Sequence, residues 1–324
     1  MNASVHPRFT VDNYYLAERK SIMANNIAYE KITNQIIEAL EDGLIPWEKP
    51  WNTEADAPRS VHGKKYRGFN AMWLDFVRMR KGYTDCRWIT YNQAKKQGGQ
   101  VRKGEKSTAI TLWMQSFNHQ SSCPIKKSKL PCQNIGKGKC SKYLLMRYYS
   151  VFNVEQVDDL ELKPLPVGIE NDFDPIEIAE QVVSDYLTRE GIELVNGSEA
   201  YYTPSQDQIT VPPMKTFRSI ESYYSTLFHE CGHSTGHESR LNRKDNKVPV
   251  KFGDPIYAQE ELVAEITNAF VGGVTGVTNE IEADQRVAYI QSWLRALRND
   301  KKLVVTAAAQ GQKAADLILN RKVA

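Results

Sequence analysis

Residues 224–233 read YSTLFHECGH, a His-Glu-x-x-His motif inside a stretch with helical periodicity. Four positions separate His229 from His233, so a helix turns both imidazoles to one face, where they can share a zinc ion. Glu230 lies about 100° further round the helix, the position of a general base. A zinc ion held there would lower the pKa of a water molecule to about 7, within reach of a carboxylate at neutral pH. The motif therefore predicts a metal centre with Glu230 as its catalytic residue.

A catalytic zinc site needs a third protein ligand, and the residues just after the motif do not supply an obvious one. In the metzincin pattern a histidine follows the second histidine by six positions, but here that position is Ser239. His237 lies one turn after His233 and would reach the metal only if the helix continued. Gly236 favours a break at that point, so His237 is the weaker candidate.

Residues 257–265 read YAQEELVAE and predict a second helix, on which Glu261 and Glu265 share one face while Glu260 lies off it. The spacing of Glu261 and Glu265 resembles the Glu-x-x-x-Asp of thermolysin-like gluzincins, whose first carboxylate binds zinc and whose second orients a ligating histidine. On that resemblance Glu261 is the third ligand and Glu265 supports a histidine. The alternative is that both carboxylates solvate an exposed helix face. Zinc suits two histidines and a carboxylate, and manganese fits the same site.

Charge divides the chain into two halves. Residues 1–150 hold 25 Lys and Arg against 12 Asp and Glu, a balance of +13, whereas residues 151–324 hold 17 against 27, a balance of −10; together they give the net +3. A basic half attracts polyanions because neutralised phosphates release condensed counterions. We therefore predict an α+β protein of two domains, a small basic α+β domain followed by a mainly helical one. The predicted segments are an N-terminal extension (1–26), the basic domain (27–160), a linker (161–175) and the helical domain (176–324).

Five of the six tryptophans lie in the first 113 residues, interleaved with lysines and arginines. Aromatic rings stack on unpaired bases and a basic groove follows the phosphate backbone, so this half is predicted to bind single-stranded DNA without reading its sequence. Trp73 and Trp113 lie in regular apolar patterns and are predicted to be core residues. For Trp47 and Trp51, on a proline-stiffened segment, core and surface remain alternatives. The predicted DNA contacts are Trp47, Trp51, Lys64, Lys65, Arg67, Trp88, Lys95, Lys96, Arg102, Lys103 and Lys106.

A Ser-, Lys- and Cys-rich insertion covers about residues 117–142. His119, Cys123, Cys132 and Cys140 lack the close Cys-x-x-Cys spacing of common structural zinc sites, so a zinc site and a flexible basic loop remain alternatives. Five cysteines are too few for a disulfide framework in a chain of this length. No apolar run approaches the roughly 18 residues of a membrane span, and residues 1–26 contain no signal-peptide core. We expect a cytoplasmic protein without a membrane partner.

The order of motifs in both halves resembles the ArdC-type antirestriction proteins, whose N-terminal domain is shared with plasmid TraC primases. In the first half the matching segments are YEKI (29–32), GFN (68–70), WITYNQA (88–94), GGQVRKGEK (98–106) and FNVEQ (152–156). In the second half they are HECGHSTGH (229–237), SRLNR (239–243), EELVAE (260–265) and the tail over residues 293–315. This second set resembles a zincin-like metallopeptidase domain of gluzincin type, and the whole resemblance covers roughly residues 27–320.

The resemblance implies a plasmid-type antirestriction protein with a link to conjugation. Such a protein would bind single-stranded DNA through its first domain and protect incoming DNA from host restriction. The metallopeptidase motif is complete, so hydrolysis of a protein, with host restriction components as candidate substrates, is chemically feasible. The alternative is a single-strand-binding shield whose metal is structural. A primase or nuclease is disfavoured, since the basic half has no carboxylate cluster suited to two-metal phosphoryl chemistry.

Overall fold

The structure is a computed structural model that describes residues 29–48, 57–119, 123, 132–133, 135, 140–164, 175–243, 255–277 and 283–322. The predicted N-terminal extension, Trp51 and most of the predicted linker, residues 165–174, lie outside the described residues. The helices are α1 (29–41), α2 (Phe69–Lys81), α3 (Tyr91–Lys96), α4 (Pro175–Glu190), α5 (Ile220–Ser234), α6 (Pro255–Thr275), α7 (Ala283–Asn299) and α8 (Leu303–Ile318). The strands are β1 (Arg59–Ser60), β2 (Arg87–Ile89), β3 (Gln100–Val101), β4 (Thr108–His119), β5 (Cys140–Asn153), β6 (Val157–Asp158), β7 (Glu193–Asn196), β8 (Tyr201–Thr203) and β9 (Gln208–Val211). Two short 3-10 helices cover Val154–Gln156 and Met214–Thr216.

The chain divides into two compact units. One, the strand-pair unit, comprises Met1–Ile32 and Ala109–Tyr149, and its described part holds most of the neighbouring strands β4 and β5. The other, the main unit, comprises Thr33–Thr108 and Ser150–Ala324. This mixed α+β architecture, with sheets in the N-terminal part and helices dominating the C-terminal part, confirms the predicted fold class.

Pairs of short strands form the sheets in the N-terminal part of the main unit. Strand β1 pairs parallel to β2, and β2 pairs antiparallel to the end of β5 through Trp88 and Asn153. Helix α3 begins directly after β2, because the Thr90 side chain accepts a hydrogen bond from the backbone of Gln93 while the Gln93 side chain bonds back to Thr90. Strands β3 and β6 form a separate antiparallel pair.

Elements from both predicted domains pack together inside the main unit. The Trp47 ring meets the Trp293 ring of α7 edge-on, with centroids 4.9 Å apart. Just before α2, Arg67 pairs with Asp316 of α8, whose side chain is almost completely buried. The Thr33 hydroxyl donates to the backbone oxygen of Lys301 at 2.6 Å. The predicted linker (161–175) between two domains stays a prediction, but residues from both sides of it share one core.

The C-terminal part is a helical layer beside a three-stranded sheet in the order β7-β9-β8. Helices α5, α6 and α8 form its centre and pack closely because glycines face their neighbours. A Cβ at Gly232 of α5 would lie 3.1 Å from the Cα of Ala264, and one at Gly311 of α8 would lie 2.9 Å from a methyl carbon of Ile266. These close approaches pack α5 and α8 against the same turn of α6, residues 264–267.

Candidate metal centre

Helix α5 carries the His-Glu-x-x-His motif within firm boundaries. Ser219 caps its start by accepting a hydrogen bond from the backbone of Ser222 at 3.1 Å. The helix ends at Ser234, just before the break that the sequence predicts at Gly236. Since Gly232 permits backbone contact with Ala264 of α6, the motif faces the helix that carries Glu261. The sequence thus positions two histidines and a carboxylate across one helix–helix contact.

The structure brings His229, His233 and Glu261 together with the spacing of ligands around one ion. The two imidazole Nε2 atoms lie 3.1 Å apart, and the Glu261 carboxylate oxygens lie 3.5 Å from Nε2 of His229 and 3.4 Å from Nε2 of His233. Ligands held tetrahedrally at about 2.0–2.2 Å from zinc lie about 3.3–3.6 Å from one another. The donor set and its distances therefore fit a divalent cation such as zinc or manganese, with room for a fourth ligand.

Each histidine also has a carboxylate on its other ring nitrogen. Nδ1 of His229 lies 3.5 Å from Glu265, the partner that the sequence predicts. Nδ1 of His233 lies 3.5 Å from Glu260, which the helical-face argument wrongly placed away from the site. Such carboxylates fix the tautomer and the ring orientation of a ligating histidine. The rule that every ligating histidine needs its own partner could have found Glu260 in the sequence.

Arg243 joins the two helices behind His233, and the sequence analysis assigned it no role. Its guanidinium donates to both carboxylate oxygens of Glu260, at 3.0 and 2.5 Å, and also to the backbone oxygen of Gly232 and the hydroxyl of Thr235. The side chains of Arg243 and Glu260 are about nine-tenths buried. This buried ion pair therefore fastens the end of α5 to the start of the ligand-bearing part of α6.

Negative charge dominates the field at the centre. Burial raises the pKa of the Glu261 carboxyl, but hydrogen bonds from His229 and His233 outweigh burial and hold that pKa below its ordinary value. Burial lowers the pKa of both imidazoles, but their bonds to the surrounding carboxylates raise it above the ordinary value. A site that stabilises positive charge on its ligands also stabilises a bound cation.

Two further groups belong to this centre. Glu230 is buried within α5, between the two histidines in sequence, and is not among the three clustered donors. Tyr289 of α7 was not found from the sequence. Burial raises the pKa of its phenol, and the nearby charges of Glu265, Glu261 and Glu230 raise it further. The Tyr289 ring stacks on Trp293, with ring centroids 5.4 Å apart, so the aromatic core supports it.

His237 lies outside the cluster, as the predicted helix break at Gly236 indicates. Helix α5 has ended before it, and its ring Nδ1 bonds the Ser239 hydroxyl at 2.8 Å. The following loop is anchored by Arg240, which pairs with Asp207 and donates to the Ser234 backbone oxygen at 2.8 Å. The loop therefore covers the end of α5 without adding a ligand.

Comparison with known proteins places both halves of the chain. Residues 26–152 match the family model described as the N-terminal domain of anti-restriction factor ArdC, and residues 181–310 match the zincin-like metallopeptidase model. The crystal structure of the antirestriction ArdC protein from plasmid R388 in its metal-free state is 35% identical, with a TM-score of 0.67 over 90% of this chain and 96% of that chain. The chain belongs to the ArdC antirestriction family. The Mn(II)-bound structure of the same R388 protein matches with a TM-score of 0.66.

Relatives of other lengths share the same region. Two Escherichia coli proteins named DNA primase TraC are 38% and 35% identical over 90% of this chain, but the chain spans only 20% and 27% of their lengths. An uncharacterized protein of Sinorhizobium fredii, y4eC, is 34% identical over 89% of this chain and 90% of its own length. The ArdC-type arrangement therefore occurs both alone and as part of much longer chains. In the described part of this chain, no helix has the length and apolar character of a membrane span.

The predicted DNA contacts of this ArdC-family chain divide between core and surface. Trp47 and Trp88 are 1% and 0% exposed, because one packs against Trp293 and the other lies in the core strand β2. The prediction that these two rings stack on bases was wrong, because neither ring is exposed to solvent. The prediction of a core position for Trp113 was also wrong: this residue of β4 is 46% exposed. A Trp in an apolar strand pattern does not reveal which of the two strand faces is covered.

The predicted basic contacts all have exposed side chains. Arg67 and Arg102 form ion pairs, Arg67 with Asp316 and Arg102 with Glu105 and Asp158, so part of their charge is neutralised within the protein. The lysines lie on turns and at the end of α3. They are Lys64, Lys65, Lys95, Lys96, Lys103 and Lys106.

Proposed function

We propose that this chain is a plasmid-type antirestriction protein that binds single-stranded DNA without sequence preference and protects incoming DNA from host restriction. We further propose that its metal centre is a peptidase-like hydrolytic site. The observation that carries the proposal is a three-ligand site, with each histidine supported by a carboxylate, in a chain of the ArdC family. Three protein ligands and an open fourth position are the arrangement of catalytic rather than closed structural zinc sites.

The residues around the centre suit hydrolysis of a peptide bond. A bound zinc or manganese ion would polarise the scissile carbonyl and make a water molecule more acidic. Glu230 would accept the proton of the attacking water and pass it to the leaving amine. The Tyr289 phenol, whose pKa is raised, stays protonated at neutral pH and is our candidate donor to the carbonyl oxygen as charge develops there.

Exposed aromatic residues of the strand-pair unit provide the stacking surface. Trp113 of β4 and Tyr148 of β5 are 46% and 42% exposed. Tyr149 lies on the opposite face of β5, because consecutive residues of a strand alternate between its two faces. The ammonium of Lys31 lies 5.5 Å from the centre of the Tyr148 ring, and the neighbouring Arg147 is exposed. Rings accompanied by cations are suited to unpaired bases and their phosphates. The exposed lysines of the main unit would add phosphate contacts that do not depend on sequence.

Binding measurements with single-site variants test the stacking surface. Trp113→Ala and Tyr148→Ala should each weaken binding to a labelled single strand by about 1–3 kcal/mol, the contribution of one base–aromatic stack. Tyr201→Ala is a matched control, because Tyr201 of β8 is 49% exposed but lies in the C-terminal part of the chain. Wild-type affinity in both test variants would contradict the assignment, as would an equal loss in the control.

Glu230→Gln tests the hydrolytic part. This variant should bind metal and single-stranded DNA like the wild type, because Glu230 belongs to neither the ligand set nor the stacking surface, but it should fail to protect unmodified DNA in cells. The alternative is the single-strand-binding shield, and one observation favours it: the ligands and the Arg243–Glu260 pair tie α5 to α6, so a metal here also stabilises the fold. Full protection by Glu230→Gln would select the shield.

A further inference from the structure

We propose that the strand-pair unit holds a second metal, a structural zinc bound by His119, Cys123, Cys132 and Cys140. These residues are spread over 22 positions with no close pair of cysteines, and the sequence alone leaves a zinc site and a flexible basic loop as alternatives. In the structure the four ligand atoms all lie within 4.8 Å of one another. The folded chain thus gathers three thiols and one imidazole that sequence spacing does not join.

One distance within the cluster matches that between two ligands of a tetrahedral zinc site. Nδ1 of His119 lies 3.6 Å from Sγ of Cys123. Zinc bonds of about 2.05 Å to nitrogen and about 2.3 Å to sulfur place these two atoms about 3.6 Å apart and two sulfurs about 3.8 Å apart. Cys123 and Cys140 are 4% and 7% exposed, so the donors face inward. Four protein donors, of which Cys123 and Cys140 are buried and the other two half-buried, describe a closed site without a position for substrate.

The cluster lies at one end of the strand pair β4–β5, where a bound zinc would stabilise the fold. His119 is the last residue of β4 and Cys140 is the first residue of β5, so these two ligands stand where the strand pair ends. Cys123 and Cys132 belong to the segment that joins β4 to β5, residues 120–139, called the connection below. The backbone oxygen of Cys132 accepts a hydrogen bond from the backbone of Ile135, and Ile135 forms a β-bridge with Cys140. The zinc would therefore close the far end of the strand pair.

The connection has little else with which to fold. Residues 120–139 contain five lysines, no Asp or Glu and only three large aliphatic residues. So little apolar surface cannot offset the conformational entropy of ordering such a segment. A metal bound by residues distant in sequence supplies that free energy directly, as in small zinc-dependent domains.

The donor types distinguish this site from the first one. Three thiolates and an imidazole are soft ligands that select zinc over manganese, whereas two imidazoles and a carboxylate accept either ion. A disulfide is the competing use of these cysteines, but all five cysteines of the chain are free thiols, and three sulfurs around one imidazole nitrogen leave one thiol over. The structure thus assigns zinc to the cysteine cluster, whereas the first centre can hold zinc or manganese.

Metal analysis of the full-length protein purified under reducing conditions tests the assignment. The wild type should carry two zinc ions per chain, and Cys123→Ser and Cys140→Ser should each carry one. Cys86→Ser is the matched control, since Cys86 is an equally buried thiol outside the cluster, and it should keep both ions. Glu261→Gln should lower zinc content through the first centre only.

Cobalt substitution keeps the test decisive even if the cysteine variants fail to fold. Cobalt at the cysteine cluster should give the near-ultraviolet thiolate-to-cobalt absorption in the wild type and in Glu261→Gln, because the first centre contains no sulfur. Wild type with a single zinc that Cys140→Ser leaves in place would overturn the proposal. So would a cobalt protein without thiolate absorption, or a denatured, unreduced wild type with three titratable thiols instead of five, which would show a disulfide.

Discussion

Glu260→Gln tests whether the carboxylate behind His233 helps to build the metal centre. The substitution keeps the shape of the side chain but removes the charge that faces both Nδ1 of His233 and the Arg243 guanidinium. Burial holds the pKa of Glu260 up, but its bonds to His233 and Arg243 outweigh burial and lower that pKa. Glu260 is therefore a charged partner of His233 at neutral pH.

Two effects of known size follow from this geometry. Loss of a carboxylate that orients a ligating histidine weakens metal binding about 10–100-fold, or about 1.4–2.8 kcal/mol. Loss of one partner of a buried ion pair costs about 3–5 kcal/mol of folding stability. We expect the lower end of that range, because Gly232 and Thr235 still accept hydrogen bonds from Arg243. The side chains are only 6–11% exposed, so solvent screening reduces these figures little.

Manganese provides the cleanest measurement, because the cysteine cluster should not bind it. Titration followed by electron paramagnetic resonance of free Mn²⁺ gives the affinity of the first centre, and urea denaturation with a chelator gives the stability of the metal-free protein. Glu199→Gln, a charge removal at an exposed residue, is the control and should change neither quantity. Unchanged manganese affinity and unchanged stability in Glu260→Gln would refute the role given to this carboxylate.

Three more variants test other parts of the structure. Burial raises the pKa of Asp207, but hydrogen bonds from Arg240 and Tyr202 outweigh burial and lower that pKa. The charged carboxylate therefore stabilises the fold fully above about pH 4, and this contribution is lost as the pH falls through the folded-state pKa. Asp207→Asn should flatten the acid dependence of stability, measured by urea denaturation. Gly232→Ala places a Cβ 3.1 Å from Ala264, so overpacking of about 1–3 kcal/mol should exceed the gain of about 1 kcal/mol in helix propensity, measured by the same denaturation. Arg67→Ala should cost about 1–3 kcal/mol of stability in the absence of DNA, because the buried Asp316 carboxylate loses its cationic partner and keeps the hydrogen bond from Gln312; an unaltered urea midpoint would contradict this.

The centre was largely predictable because it follows helical periodicity. A spacing of four positions places His229 with His233 and Glu261 with Glu265 wherever the two helices lie, and the structure sets those faces against each other. The same periodicity did not predict a role for Glu260, because Glu260 is the residue next to Glu261 and points to another side of the helix. It reaches His233 only because α6 crosses α5 at Gly232, and a crossing of two helices is tertiary information that periodicity does not contain.

The proposed DNA surface was less predictable, because tryptophan serves equally well in a core and on a stacking surface. Trp47 is buried against Trp293, a residue 246 positions later, and no local pattern reports such a contact. Trp113 has apolar neighbours yet is 46% exposed. Composition indicated the basic, aromatic half correctly but not which rings face solvent.

The most direct test of the central claim is a crystal structure of the protein with manganese, using anomalous scattering to locate the ion. We predict a manganese peak about 2.0–2.3 Å from Nε2 of His229, Nε2 of His233 and the Glu261 carboxylate, with the His237 ring outside the coordination sphere. A peak coordinated by His237, or a manganese-soaked crystal without a peak between α5 and α6, would contradict the metal centre on which the proposed function rests.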